Sequence, residues 1–136
     1  MAQVIVFTNE SGGVSVCVPT GELSIEAVKA KDTPSHSIIV DGNELPNDDN
    51  DFFNAWELED GVVSVNLAKA KSITKERLRR ERAPLLAAQD VLFQRAQETG
   101  ADTTAIVAEK NRLRDITNAA DACTTTAQLR ALTVEA

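Results

Sequence analysis

The stretch that decides the fold is NLAKAKSITKERLRRERAPLLAAQDVLFQRAQETG, residues 66–100. From Asn66 to Glu98 it holds no glycine and a single proline, Pro84. Leu78, Leu85 and Leu92 recur every seven residues, with Ile73, Ala88 and Ala96 near the same stripe. This spacing predicts one amphipathic helix of about 26–32 residues, too long to lie on a small domain over its whole length. Pro84 is expected to bend or break it, because the ring meets the carbonyl four residues back. Gly100 is the predicted stop and Asp102 the next start, with Thr103 and Thr104 behind it, so the chain should turn over Thr99–Asp102. A second helix reaching to about Asn118, with Ile106, Leu113 and Ile116 on its apolar side, then returns antiparallel. The Leu85/Leu92 face is expected to meet Ile106/Leu113. A short last helix is predicted at Ala127–Leu132, entered through a capping box of Thr125 and Gln128.

N-terminal to this stretch the pattern changes to strand. Val4-Ile5-Val6-Phe7 is a β-branched run, Asn9–Gly13 is a turn cluster, and Val14, Val16 and Val18 alternate with Ser15 and Cys17. That reads as a hairpin ended by Pro19, which has no N–H for a ladder. Ser24–Lys31 reads as a short helix capped by Ser24 or Thr20, with Ile25 and Val28 on one side and Pro34 as the stop. Ser37–Asp41 is a third strand. Glu44–Asp51 is acidic and is expected to be irregular. Asp60-Gly61, between Trp56–Glu59 and Val62–Asn66, is the strongest hairpin signal in the chain. The expectation is therefore α+β. An acidic, antiparallel β-rich module with one short helix occupies residues 1–66, and a long helical hairpin with a short C-terminal helix occupies residues 67–136.

Charge divides along the same line. Residues 1–68 carry twelve acids and two bases, a net −10, and residues 69–136 carry nine acids and twelve bases, a net +3, which together give the chain's −7. Such asymmetry speaks of partners and not of fold. There are 136 residues, 43% of them hydrophobic and 26% charged, an ordinary globular composition. No run is long and apolar enough for a membrane span, and the N-terminus lacks the basic region of a secretory signal. Two distant cysteines, Cys17 and Cys123, make neither a disulfide framework nor a metal-ligand spacing, so a reducing compartment is the default.

The common catalytic constellations are missing. One histidine, no tyrosine, and no nucleophile elbow, phosphate loop or dinucleotide motif point away from an enzyme. No catalytic, cofactor-binding or metal-binding residue is assigned. His36 reads as a surface hydrogen-bonding residue, and Cys17 and Cys123 read as small buried residues. The acids Asp41, Asp48, Asp49 and Asp51 lack the spacing of a calcium loop and read as a solvated segment. Two groups are candidates for partner binding. Phe52, Phe53 and Trp56 form the densest aromatic patch, read either as core or as an interface anchor. Lys71, Lys75, Arg79 and Arg82, within the basic run 69–82, are expected to line one solvated face and to meet acidic surface of the same chain or a neighbour. The same run is the only feature that would serve nucleic acid.

Taken in order, Val18-Pro19-Thr20-Gly21-Glu22-Leu23-Ser24-Ile25-Glu26-Ala27-Val28, Lys31-Asp32-Thr33-Pro34, Ile39-Val40-Asp41, Leu45-Pro46 and Phe53-Asn54-Ala55-Trp56-Glu57-Leu58 resemble small proteins of tailed bacteriophages encoded beside tail or tail-fibre genes. The helical segments Lys69–Leu86 and Lys110–Thr117 share that likeness. The Ala55-Trp56-x-x-x-Asp60-Gly61 hairpin followed by charged helices is also similar to the C-terminal layout of tail-fibre assembly chaperones. The resemblance implies a non-catalytic structural protein of the virion tail, made in the cytoplasm of the host bacterium, with other tail or tail-fibre proteins as partners. By analogy with tail appendages it implies a homotrimer. The alternatives are an assembly chaperone absent from the mature virion and a nucleic-acid-binding accessory protein using residues 69–82.

Overall fold

The structure is a computed structural model and describes residues 3–135. It is α+β, with two compact units dividing between Ala70 and Lys71.

In the N-terminal unit, β1 (Gln3–Thr8) is the centre of a three-stranded antiparallel sheet in the order β2-β1-β3, with β2 (Val14–Cys17) and β3 (Ile38–Asp41) as edges. The register pairs Val6 with Val16 and with Ile38, so side chains of one parity share a face. Val4, Val6 and Val14 on that face form a core with Trp56 and Val63. On the other face Ile5 is fully buried, and α1 (Ile25–Asp32), which buries Val28, packs against β1. Ser24 caps α1 by accepting from the Ala27 N–H at 3.2 Å. In the β1–β2 turn, Asn9 Oδ1 accepts from the N–H groups of Ser11 and Gly13, at 3.1 and 3.0 Å.

The second hairpin, β4 (Trp56–Glu59) and β5 (Val62–Val65), turns through Asp60 at φ 52° and Gly61 at φ 79°. Two successive positive φ values make the type I′ turn whose twist matches antiparallel strands. The acidic segment expected to be irregular holds 3₁₀ turns over Gly42–Glu44 and Asn47–Ala55, the second stretch kinked where Asp49 and Phe52 leave helical φ/ψ. Asp and Asn side chains favour such tight local turns: Asp41 Oδ1 accepts from the Asn43 N–H, and Asn47 Nδ2 donates to the Gly42 carbonyl. Asn66 closes the hairpin and opens α2, its N–H donating to Ala55 O and its Oδ1 accepting from the Lys69 N–H.

Helix α2 runs from Leu67 to Thr99, 33 residues, and continues through Pro84 without a break. Pro84 is exposed, and on a solvent face the carbonyl freed by the missing N–H is met by water. The stop at Gly100 (φ 70°) has the paired bonds of a Schellman motif: Ala101 N–H to Ala96 O at 2.8 Å and Gly100 N–H to Gln97 O at 3.3 Å. Asp102 Oδ1 then accepts from the N–H and the hydroxyl of Thr104, and these bonds hold its carboxyl below its ordinary pKa.

Helix α3 spans Thr104–Asp115, three residues short of the expected end, and a separate turn of helix, α4, covers Asn118–Asp121. The last helix, α5, is Thr126–Ala131. Thr125 accepts from the Gln128 N–H as predicted, but Gln128 reaches back one residue further, to the Thr124 N–H. The hairpin is antiparallel: Lys110 of α3 pairs with Asp90 of α2 at 2.7 Å and sits over the Phe93 ring.

The predicted seam at 78, 85 and 92 is wrong beyond its first member. Leu78 is fully buried with Leu113 and Val134, but Leu85 and Leu92 are 39% and 45% exposed. Leu86 takes the inner position, and Phe93 faces α3 through Lys110. A seven-residue count drifts by about 20° per repeat on a straight helix, so each step from Leu78 moves further out of the contact with α3.

Candidate functional site

Phe53 and Trp56 meet at the end of the second 3₁₀ stretch, ring centroids 4.9 Å apart and planes tilted by 55°. Trp56 is almost wholly buried, and its indole N–H donates to the Asp49 carbonyl at 3.2 Å. That bond ties the 3₁₀ segment to the start of β4. Phe53 stays 38% exposed and forms a wall. Val4 and Val16 come up from the sheet, Val18 from just beyond β2 and Leu45 from between the two 3₁₀ stretches. Together they line an apolar groove of about 300 Å³ in the N-terminal unit. Asn47 and Asn50 give it a polar side, the Asn50 amide donating to Asn47 O at 2.8 Å. Val18 is 66% exposed at the mouth. The groove admits one or two apolar side chains, and its floor is pre-formed by core residues.

The surroundings are acidic. Residues 1–70 hold twelve acids against Lys29, Lys31 and Lys69, a net −9. Glu44 and Asp48, one on each of the two 3₁₀ stretches that line the groove, are exposed. Among the described residues no group of three His, Cys, Asp or Glu side chains is placed to hold a metal ion.

The proposed aromatic anchors therefore separate. Phe53 offers surface, Trp56 forms the floor, and Phe52 is buried in the core of the unit at 4% exposure. Val16, Val18 and Leu45 complete the site without having been singled out in the sequence. Val18, between the end of edge strand β2 at Cys17 and Pro19, is the one local signal for them.

The basic run behaves differently from the expectation of a solvated face. Lys75 pairs with Asp121 at 2.6 Å and Lys71 donates to the Asp121 carbonyl at 3.0 Å. The Lys75 bond holds the Asp121 carboxyl below its ordinary pKa. Arg77 donates to Leu129 O and Leu132 O, at 3.2 and 2.8 Å, and forks onto Glu81. Arg82 donates to Leu113 O and Arg114 O, and Arg112 to Val134 O. Lys71, Arg77 and Arg82 thus bond carbonyls at the C-terminal ends of α4, α5 and α3, where positive charge is also favoured by the helix dipole. Arg79 alone of the four named cations stays on the surface, paired with Glu76 at 3.2 Å.

His36 is exposed and donates from Nε2 to the Thr8 carbonyl at 3.1 Å, beside Phe7. Cys17 is half-buried, and Cys123 is buried with its thiol directed at Ala119 O. Among the described residues no helix is long and apolar enough to cross a membrane. No family model matches the chain, and neither a curated protein nor a solved structure matches it.

Proposed function

We propose that the chain is a non-catalytic binding protein whose N-terminal unit holds a segment of another protein in the groove between Val18 and Phe53. The observation that carries this reading is a pre-formed apolar groove, floored by the Trp56 ring, in a unit of net charge −9. An apolar side chain fills the groove, and Lys or Arg residues flanking it in the partner meet the acidic surroundings, which speeds encounter more than it adds affinity. The resemblance to small tailed-phage proteins extends the reading to a tail-associated structural protein of the virion that binds other tail or tail-fibre subunits. Nucleic acid is the weaker alternative, because Lys71, Lys75, Arg77 and Arg82 already serve acceptors within the helical unit.

Trp56 is the single tryptophan and the chain has no tyrosine, so intrinsic emission reports the groove. Peptides with a central Leu, Met or Phe between Lys or Arg residues should shift that emission, and Phe53→Ala should weaken binding at least tenfold while the protein stays folded. No shift with any such peptide, or an equal shift with Glu-flanked ones, overturns the groove reading. Mass spectrometry of purified phage particles decides between a tail component and an assembly chaperone, since only the former remains in them.

A further inference from the structure

The outer face of α2 carries a second surface, in the helical unit and independent of the groove. Taking Ala88 as zero on a helix of 100° per residue, Pro84 and Leu92 lie at about 40° to either side and Leu85 and Val91 at about 60°. Leu85, Val91 and Leu92 are 39%, 48% and 45% exposed, and Pro84 and Ala88 are exposed as well. The stripe is thus about 120° wide and turned away from α3, which takes Leu86 and Phe93 on the opposite side. Toward the N-terminus the same face is covered, with Arg77 bonded to the carbonyls of Leu129 and Leu132. From Pro84 onward it is bare.

The charges at its two ends identify what fits it. Glu81 and Arg95 each stand seven residues from Ala88, within about 20° of the stripe's midline, and they are opposite in sign. We infer that a second copy of this chain docks there, its α2 antiparallel about a two-fold axis at Ala88. That axis sets Leu85 beside Leu92, Pro84 beside Val91 and, near the midline, Glu81 against Arg95 of the other copy, twice over, as an isologous contact requires. Ala88, the small residue at the axis, lets the helices approach closely. Glu81 already accepts from Arg77, yet its side chain is 39% exposed and a carboxylate has further lone pairs for a second guanidinium. A parallel pair or a parallel three-fold bundle sets Glu81 against Glu81 and Arg95 against Arg95, so the charges select a two-fold dimer over the trimer that the phage analogy implies.

Sedimentation velocity on the full chain, with helicity checked by circular dichroism, tests this. The wild type should run as a dimer at tens of micromolar. Glu81→Lys and Arg95→Glu, each alone, set like charges together twice in the dimer and should weaken it about a hundredfold. An equimolar mixture of the two variants should recover the dimer, because every pair is again opposite in sign. Should Glu81→Lys disturb Arg77 and the fold, Leu92→Glu replaces it: that residue is 45% exposed and outside the core around Leu78, and its variant should be monomeric. A wild-type monomer at 100 µM, a trimer, a mixture that does not recover, or a Leu92→Glu variant that still dimerises overturns the inference.

Discussion

Replacing Leu78 by alanine tests the register of the long helix directly. Leu78 has no exposed surface and packs with Leu113 and Val134, ringed by Leu86, Ile116 and Leu132. Losing three carbons from that site forfeits about 2–3 kcal/mol of transfer free energy. The cavity adds to this, because its walls are held in place: Arg82 is bonded to the carbonyls of Leu113 and Arg114, and Arg112 to that of Val134. A total of about 3–5 kcal/mol is expected, the upper part of the range for buried leucines. Leu92→Ala, at a site 45% exposed, leaves no cavity and should cost about 1 kcal/mol or less. Urea unfolding followed at 222 nm measures both, and Trp56 emission follows the N-terminal unit in the same samples. The comparison belongs at low micromolar concentration, where self-association through Leu92 adds nothing. Equal losses, or a larger loss at Leu92, would refute the inward assignment of Leu78 and Leu86 and restore the seven-residue seam.

Gly61→Ala should lower the stability reported by Trp56 by about 1 kcal/mol; the nearest side-chain atom to the new Cβ is Ile38 Cδ1 at 4.0 Å, so the cost is the left-handed φ of 79° and not a clash. Arg77→Met should cost the helical unit about 1–3 kcal/mol by leaving the Leu132 carbonyl without its guanidinium, while the Leu129 carbonyl keeps the Leu132 N–H, measured by thermal unfolding at 222 nm. Asp121 has its pKa depressed by Lys75, so its contribution is present above the unfolded value near 3.8 and fades as pH falls through the lower folded value. The stability gap between wild type and Asp121→Asn should therefore be full at pH 7 and close as pH falls through the lowered folded value, and a gap independent of pH would dismiss the ion pair.

Local chemistry made much of this fold legible. Asp60-Gly61 announces its turn because few residue pairs accept two positive φ values, and Gly100 followed by Asp102 marks both ends of the interhelical connection. The face of α2 was not legible, because Leu85-Leu86 and Leu92-Phe93 are doublets that put one apolar residue on each side of the helix. Periodicity finds the two stripes and says nothing about which one α3 covers. The basic run misleads for another reason. Charge predicts carboxylate partners, yet Arg77 and Arg82 find backbone carbonyls 31 to 55 residues away, and no pattern in the sequence marks an unpaired carbonyl. The aromatic patch was visible as a cluster, but the groove needs Val16, Val18 and Leu45, which only the sheet register and the 3₁₀ turns bring beside it.

The stitching of α2 to late carbonyls sets a clock on synthesis. Arg77 is made 52 and 55 residues before the two carbonyls that it holds, and Leu78 waits as long for Val134. At about 5–20 residues per second that interval is roughly 3–10 s. Until α3 and the C-terminal residues follow, a nascent α2 shows water two leucine-bearing stripes, the one destined for Leu113 and Val134 and the one turned away from them. The helical unit is thus most prone to aggregate while it is still being translated, and a slow stretch of message after residue 99 would lengthen that exposure where a slow stretch before residue 67 would not.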